Sequence, residues 1–118
     1  MKNRSSVLRK TYPFLRIVST LSPNSRRKIL NELNGDQDVY KSMREIAINT
    51  VKGNVPLSTK SKQQLKKFDK TIHLLNKHRT KSCSCRKRKQ IIQQGSGILP
   101  ILIPAIAGII SSIISKND

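Results

Sequence analysis

Apolar positions recur at helical spacing through most of this chain, and the breaks between them carry helix-start and helix-stop chemistry. Across residues 4–21, Val7, Leu8, Phe14, Leu15, Val18 and Leu21 share one broad face, with a break expected near Pro13. Ser22-Pro23 predicts a new start, because serine caps a helix and proline suits its first turn. Ile29, Leu30 and Leu33 form the stripe of that second helix, and Asn34-Gly35 ends it. Asp36 is the predicted cap of the third helix, with Asp38 favourable in its first turn. Val39, Tyr40, Met43, Ile46, Ala47 and Val51 then carry the amphipathic pattern to about Lys52. After the connector Gly53-Asn-Val-Pro-Leu57, Ser58 caps the longest predicted helix. Leu65, Phe68, Ile72 and Leu75 make a heptad-like seam along it.

These patterns, with no alternating strand signal and no internal repeat, predict an all-α fold. It is a small helical bundle of three or four short helices, with a long basic helix and a hydrophobic C-terminal helical tail. The expected core is Leu15, Ile29, Leu30, Leu33, Val39, Met43, Ile46, Leu65, Phe68, Ile72 and Leu75. Three segments follow: a helical body over 1–80, a basic linker with a Gly-rich junction over 81–97, and a hydrophobic tail over 98–118.

The tail contains the most apolar stretch of the chain. Ile98 to Ile114 holds eight Ile and two Leu and carries no charge. As a helix it would be about 26 Å long, just short of a hydrocarbon core of roughly 30 Å. Pro100 and Pro104 break the first half of such a helix, which argues against a plain membrane span. From Pro104 on, Ile106, Ile109, Ile110, Ile113 and Ile114 take one face, and Gly108, Ser111, Ser112 and Ser115 the other. The expected membrane- or partner-binding set is Ile98, Leu99, Ile101, Leu102, Ile106, Ile109, Ile110, Ile113 and Ile114. A bilayer interface, a partner protein such as a major capsid protein, or the bundle itself can cover such a face.

Charge changes the picture. Lys and Arg number 24 against 6 Asp and Glu, a net charge of +18 that repels itself in a compact monomer and recruits polyanions. Half of the cations lie between residues 60 and 89, with Asp69 as the one acid there. The nucleic-acid-binding set is therefore Lys60, Lys62, Lys66, Lys67, Lys70, Lys77, Arg79, Lys81, Arg86, Lys87, Arg88 and Lys89. A lysine face alone is often just a solvated face, whereas the density over 77–89 favours binding. No base-reading motif is present, so binding to double-stranded DNA should be independent of sequence. Arg86-Lys-Arg-Lys89 also fits a nuclear import signal.

An enzyme is not expected. Acids are too few for a paired-carboxylate site, and no Gly-rich loop cradles a phosphate. Cys83-Ser-Cys85 with His73 and His78 lacks the Cys-x2-4-Cys spacing of a structural zinc site, and Cys83 with His78 has no third catalytic partner. Neither a metal nor a cofactor is expected. Arg9, Lys10 and Arg16 interrupt any apolar secretory signal near the N-terminus.

The basic run, the Gly-rich break and Gly97-Ile-Leu-Pro-Ile-Leu-Ile-Pro-Ala-Ile-Ala-Gly-Ile-Ile together resemble the C-terminal part of adenovirus core protein X, the precursor of the mu peptide. From Arg26 on, the Gly53–Leu57 connector, the Lys-rich helix and this tail resemble small basic virion proteins of polintons and adintoviruses. The chain is Lys-rich where the adenoviral peptide is Arg-rich, and it adds a helical body. The resemblance implies a core or minor virion protein that binds DNA, located in the virion interior and host nucleus. It also implies a viral cysteine protease as a partner, cutting after Gly97. Gln94-Gly-Ser-Gly97 resembles that protease's site, although Gln94 stands where an apolar residue is expected; read from the residues alone, Gly95 and Gly97 end the basic helix and turn the chain before Pro100.

Overall fold

In the computed structural model, residues 4–32, 37–79 and 84–110 are described, and all their regular structure is helical. Seven α-helices occur among them: α1 (Arg4–Ser19), α2 (Pro23–Glu32), α3 (Gln37–Val51), α4 (Thr59–Leu65), α5 (Asp69–Lys77), α6 (Cys85–Gly95) and α7 (Leu99–Ile106). Short 3-10 turns, Lys66–Phe68 and Ser96–Ile98, join α4 to α5 and α6 to α7.

Local chemistry accounts for most boundaries. The Ser22 hydroxyl accepts from the Ser25 N–H at 3.3 Å, and Pro23 opens α2 where no N–H is needed. At the end of α3 the Gly53 N–H bonds the Thr50 carbonyl at 3.2 Å, and the Asn54 N–H reaches the Asn49 carbonyl at 2.9 Å. This Schellman arrangement needs a left-handed residue, and Gly53 supplies it with φ 80°. Ser58 and Ser84 cap α4 and α6, each accepting a backbone N–H at 3.1 Å. Asn34, Gly35, Asp36 and Leu33 lie outside the described residues.

The structure differs from the sequence pattern at three places. Helix α1 runs through Pro13 without ending there. The long helix over 58–77 is divided by the Lys66–Phe68 turn. Helix α7 contains both Pro100 and Pro104; Pro100 falls in the first turn, where its missing N–H costs nothing, and Pro104 is exposed.

Helix α3 is central, packing against α1, α5 and α6. Val39, Tyr40, Met43, Ile46 and Ala47 are all buried on it. Leu15, Leu30, Leu65, Ile72 and Leu75 join this core, and Ile29 and Phe68 pack at its edge.

The tail is not separate. Among the described residues, seven of the twenty buried core side chains come from residues 91–106: Ile91, Ile92, Ile98, Leu99, Leu102, Ile103 and Ile106. Helix α7 packs on α1 and α4. Residues 85–95 are helix, and Ile98, Leu99, Leu102, Ile103 and Ile106 are buried in the same core as α1 to α5. Burying one such aliphatic side chain is worth roughly 1.5–3 kcal/mol, and so highly charged a chain needs that area to hold together. Among the described residues no helix is long and apolar enough to cross a membrane.

Candidate nucleic-acid interface

The cationic surface is built by helices whose apolar residues turn inward. Along α4 and α5, Leu65, Thr71, Ile72 and Leu75 are buried, which leaves Lys60, Lys62, Lys66, Lys67, Lys70 and Lys77 exposed. Arg79, just beyond α5, is also exposed. The connection of α5 to the core is polar as well as apolar. The Tyr40 hydroxyl donates to the His78 carbonyl at 2.6 Å, and an Arg44 Nη donates to the Asn76 carbonyl at 3.3 Å.

Helix α6 presents its cations differently. Ile91 and Ile92 anchor it in the core, so its first turns are held against the protein. Arg86 is exposed, while Lys87, Arg88 and Lys89 are half-buried. Arg86, Lys89, Gln90 and Gln93 fall at steps of three, four and seven, one face of a helix. They line an open cleft of about 460 Å³. Two cations and two amides there offer only hydrogen-bond donors and neutral acceptors to a phosphate. Lys81 lies outside the described residues.

Two cations were not in the predicted set. The Gln93 side-chain amide donates to the Arg27 carbonyl at 3.0 Å, fixing α2 beside the α6 cleft. Arg27 and Lys28 are exposed there. Arg26-Arg27-Lys28 is visible as a run of three cations, but on a short helix it reads as a solvated face. Nothing in the sequence says that α6 packs beside it.

The remaining described site residues lie in the Ser96–Ile98 turn, on α7 and just beyond it. Ile98, Leu99, Leu102 and Ile106 are buried in the core, and Ile101, Ile109 and Ile110 pack partly buried against it. The bundle covers the first four and leaves Ile101, Ile109 and Ile110 partly open. Ile113 and Ile114 lie outside the described residues.

Gly97 is half-buried in a packed turn. Gly95 ends α6, Ser96 is 5% exposed, and Gly97 sits in the middle of the 3-10 turn. The glycines serve close packing. A Cβ on Gly97 would lie 2.5 Å from Phe68 Cζ, and one on Gly95 would lie 3.0 Å from Met43 Cε.

Cys85 is exposed in the first turn of α6, His73 is exposed on α5, and Cys83 lies outside the described residues. No group of three or more His, Cys, Asp or Glu that could hold a metal forms among the described residues. No protein-family model matches the chain, and neither a curated protein nor a solved structure matches it.

Proposed function

We propose that this protein is a non-enzymatic, DNA-binding virion component that holds double-stranded DNA through its phosphates, without sequence preference. The observation that carries the reading is the exposure of Lys60, Lys62, Lys66, Lys67, Lys70 and Lys77 along α4 and α5 and of Arg86 on α6, while the apolar residues of the same helices face the core. Residues 60–89 carry 12 basic and 1 acidic side chain, a net charge of +11, so several phosphates meet the surface at once. Each neutralised phosphate releases condensed counterions, and no special side-chain geometry is required. The Arg86–Gln93 cleft adds a more fixed set of donors beside Arg27 and Lys28. The placement in a virion rests on the resemblance of the tail and basic run to core protein X.

Engagement of lipid or a capsid protein by residues 98–110 would require α7 to leave the core, at a cost of several kcal/mol from Leu99, Leu102, Ile103 and Ile106 alone. DNA binding needs no such opening, which is why it is preferred.

Duplex affinity measured from 50 to 200 mM salt tests the proposal. Affinity should fall on the order of a hundredfold or more. Changing Arg86, Lys87, Arg88 and Lys89 to Ala together should flatten that slope. Affinity indifferent to salt, or strongly dependent on base sequence, would sink the proposal.

A further inference from the structure

The start of α2 holds a feature that the DNA surface does not use. Arg26 is 7% exposed, yet its guanidinium makes one hydrogen bond, from Nη1 to the Leu21 carbonyl at 2.8 Å. Its Nε is buried and has no partner among the described residues. No carboxylate among those residues pairs with Arg26. Burial, and secondarily the charge of Arg27, hold its pKa below the ordinary arginine value. A buried cation without a counter-charge is expensive, and a bound anion would relieve it.

The Leu21 carbonyl immediately precedes the Ser22 cap, so the guanidinium is tied back to the N-terminal end of α2. Helix N-termini favour anions through free N–H groups and the helix dipole. Here the Ser25 N–H is taken by the Ser22 hydroxyl and the Arg26 N–H by the Ser22 carbonyl. Pro23 has no N–H, and the Asn24 N–H is left without a partner among the described residues. Ser22, Asn24 and Ser25 are exposed, so an anion can reach the turn from solvent.

The Ser22 hydroxyl is engaged with Ser25, donating to the Ser25 Oγ at 3.1 Å. We infer that the Ser22–Arg26 turn is an oxyanion site, taking a tetrahedral phosphate group between the Asn24 N–H, the Ser25 hydroxyl and the Arg26 guanidinium. Arg27, exposed on the next position, adds long-range attraction. The inference stands on Arg26 and the α2 terminus, and holds whether or not α4–α6 bind DNA.

The test uses the full chain, with inorganic phosphate as the probe. Thermal unfolding is followed in sodium phosphate and in sodium chloride at matched ionic strength. The Tm of the wild type should rise with phosphate and saturate, as should that of Lys52→Met, which removes an exposed cation elsewhere. Arg26→Met should show no such rise. Replacing a buried uncompensated charge with an apolar side chain of similar length is usually neutral or stabilising, so this variant should fold.

Backbone amide shifts in the wild type provide a measurement that needs no variant. Asn24 and Ser25 should move saturably with phosphate and not with chloride. An equal Tm rise in Arg26→Met would overturn the inference, because it would report only general screening of a cationic protein. So would Asn24 and Ser25 shifts no larger than those of the lysines on α4. A short DNA duplex then separates two sources of the phosphate. Displacement of the phosphate shifts by duplex assigns the site to a nucleic-acid backbone; persistence of those shifts with duplex bound assigns it to a free anion.

Discussion

Two arms of the molecule are built alike and behave differently. Each is a helix pair joined by a 3-10 turn, α4–α5 through Lys66–Phe68 and α6–α7 through Ser96–Ile98. Each opens on a serine cap and carries cations near its start. The first arm stays amphipathic throughout, with lysines outside along both helices. The second is segregated along its length, cationic through Lys89 and then uncharged, becoming apolar from Ile98 on. The first arm thus offers a spread of solvated charges, whereas the second leaves Arg86 exposed and holds Lys87, Arg88 and Lys89 half-buried, with Ile91 and Ile92 in the core. Similar charge supports loose attraction in one place and a defined cleft in the other.

The arms meet turn against turn. Phe68 of the first lies against Gly97 of the second, and Thr71 lies beside Gly95. That contact makes the comparison breakable, and the largest effect should come from α7. Leu102 is fully buried, so Leu102→Ala should lower unfolding free energy by about 2–5 kcal/mol, measured by denaturant titration with helical circular dichroism. Phe68→Ala, on the half-buried partner, should cost less. If Leu102→Ala left stability unchanged, the second arm would be an appendage and the likeness between the arms would fail.

Next in size is the contact itself. Gly97→Ala would place a methyl group 2.5 Å from the Phe68 ring, well inside van der Waals contact. Overpacking of this kind costs about 1–3 kcal/mol. Because Phe68 is half-buried, trimming it should make room, and Phe68→Leu should restore part of the loss in the double variant. Additive losses in that double-mutant cycle would show that the turns do not press on each other.

How the arms could be read from sequence follows from where their causes lie. Ser58, Ser22 and the Gly53 stop act within a few residues, and each was legible. So were the inward positions Leu65, Ile72 and Leu75, because burial of a seam imposes its own spacing. The break at Lys66–Phe68 was not legible. It contains neither Gly nor Pro, and Phe68 meets the Gly97 turn about thirty positions downstream. The Gly95–Gly97 break was visible as a helix end and turn or as a protease site; only the packed neighbour shows that the glycines provide clearance. In the same way, Ile98–Ile110 announced that it would leave water without indicating where it would go. Pro100 and Pro104 weighed against a helix in the pattern, whereas one sits in a first turn and the other faces solvent. Arg27 and Lys28 entered the cationic surface through a single tertiary hydrogen bond, from Gln93.

The smallest expected effect separates the two caps. Ser58 and Ser84 accept the same kind of bond at the same distance, 3.1 Å, from Ser61 and Lys87 respectively. Either serine changed to Ala should therefore cost about 1 kcal/mol. A change to Asp should distinguish them, since aspartate caps as well as serine and adds a charge. The first turns of α6 hold Arg86, Lys87 and Arg88, cations where the helix dipole disfavours them, within reach of a carboxylate at position 84. The first turn of α4 holds Lys60, with Lys62 further along. Ser84→Asp should consequently stabilise by about 0.3–1 kcal/mol, more than Ser58→Asp, and the gain should shrink as salt rises. The same carboxylate would compete with phosphate for the α6 cations, so duplex affinity should fall for Ser84→Asp and hardly change for Ser58→Asp. Equal gains in stability and equal losses of affinity from the two variants would mean that α6 holds its cations no more firmly than α4 does.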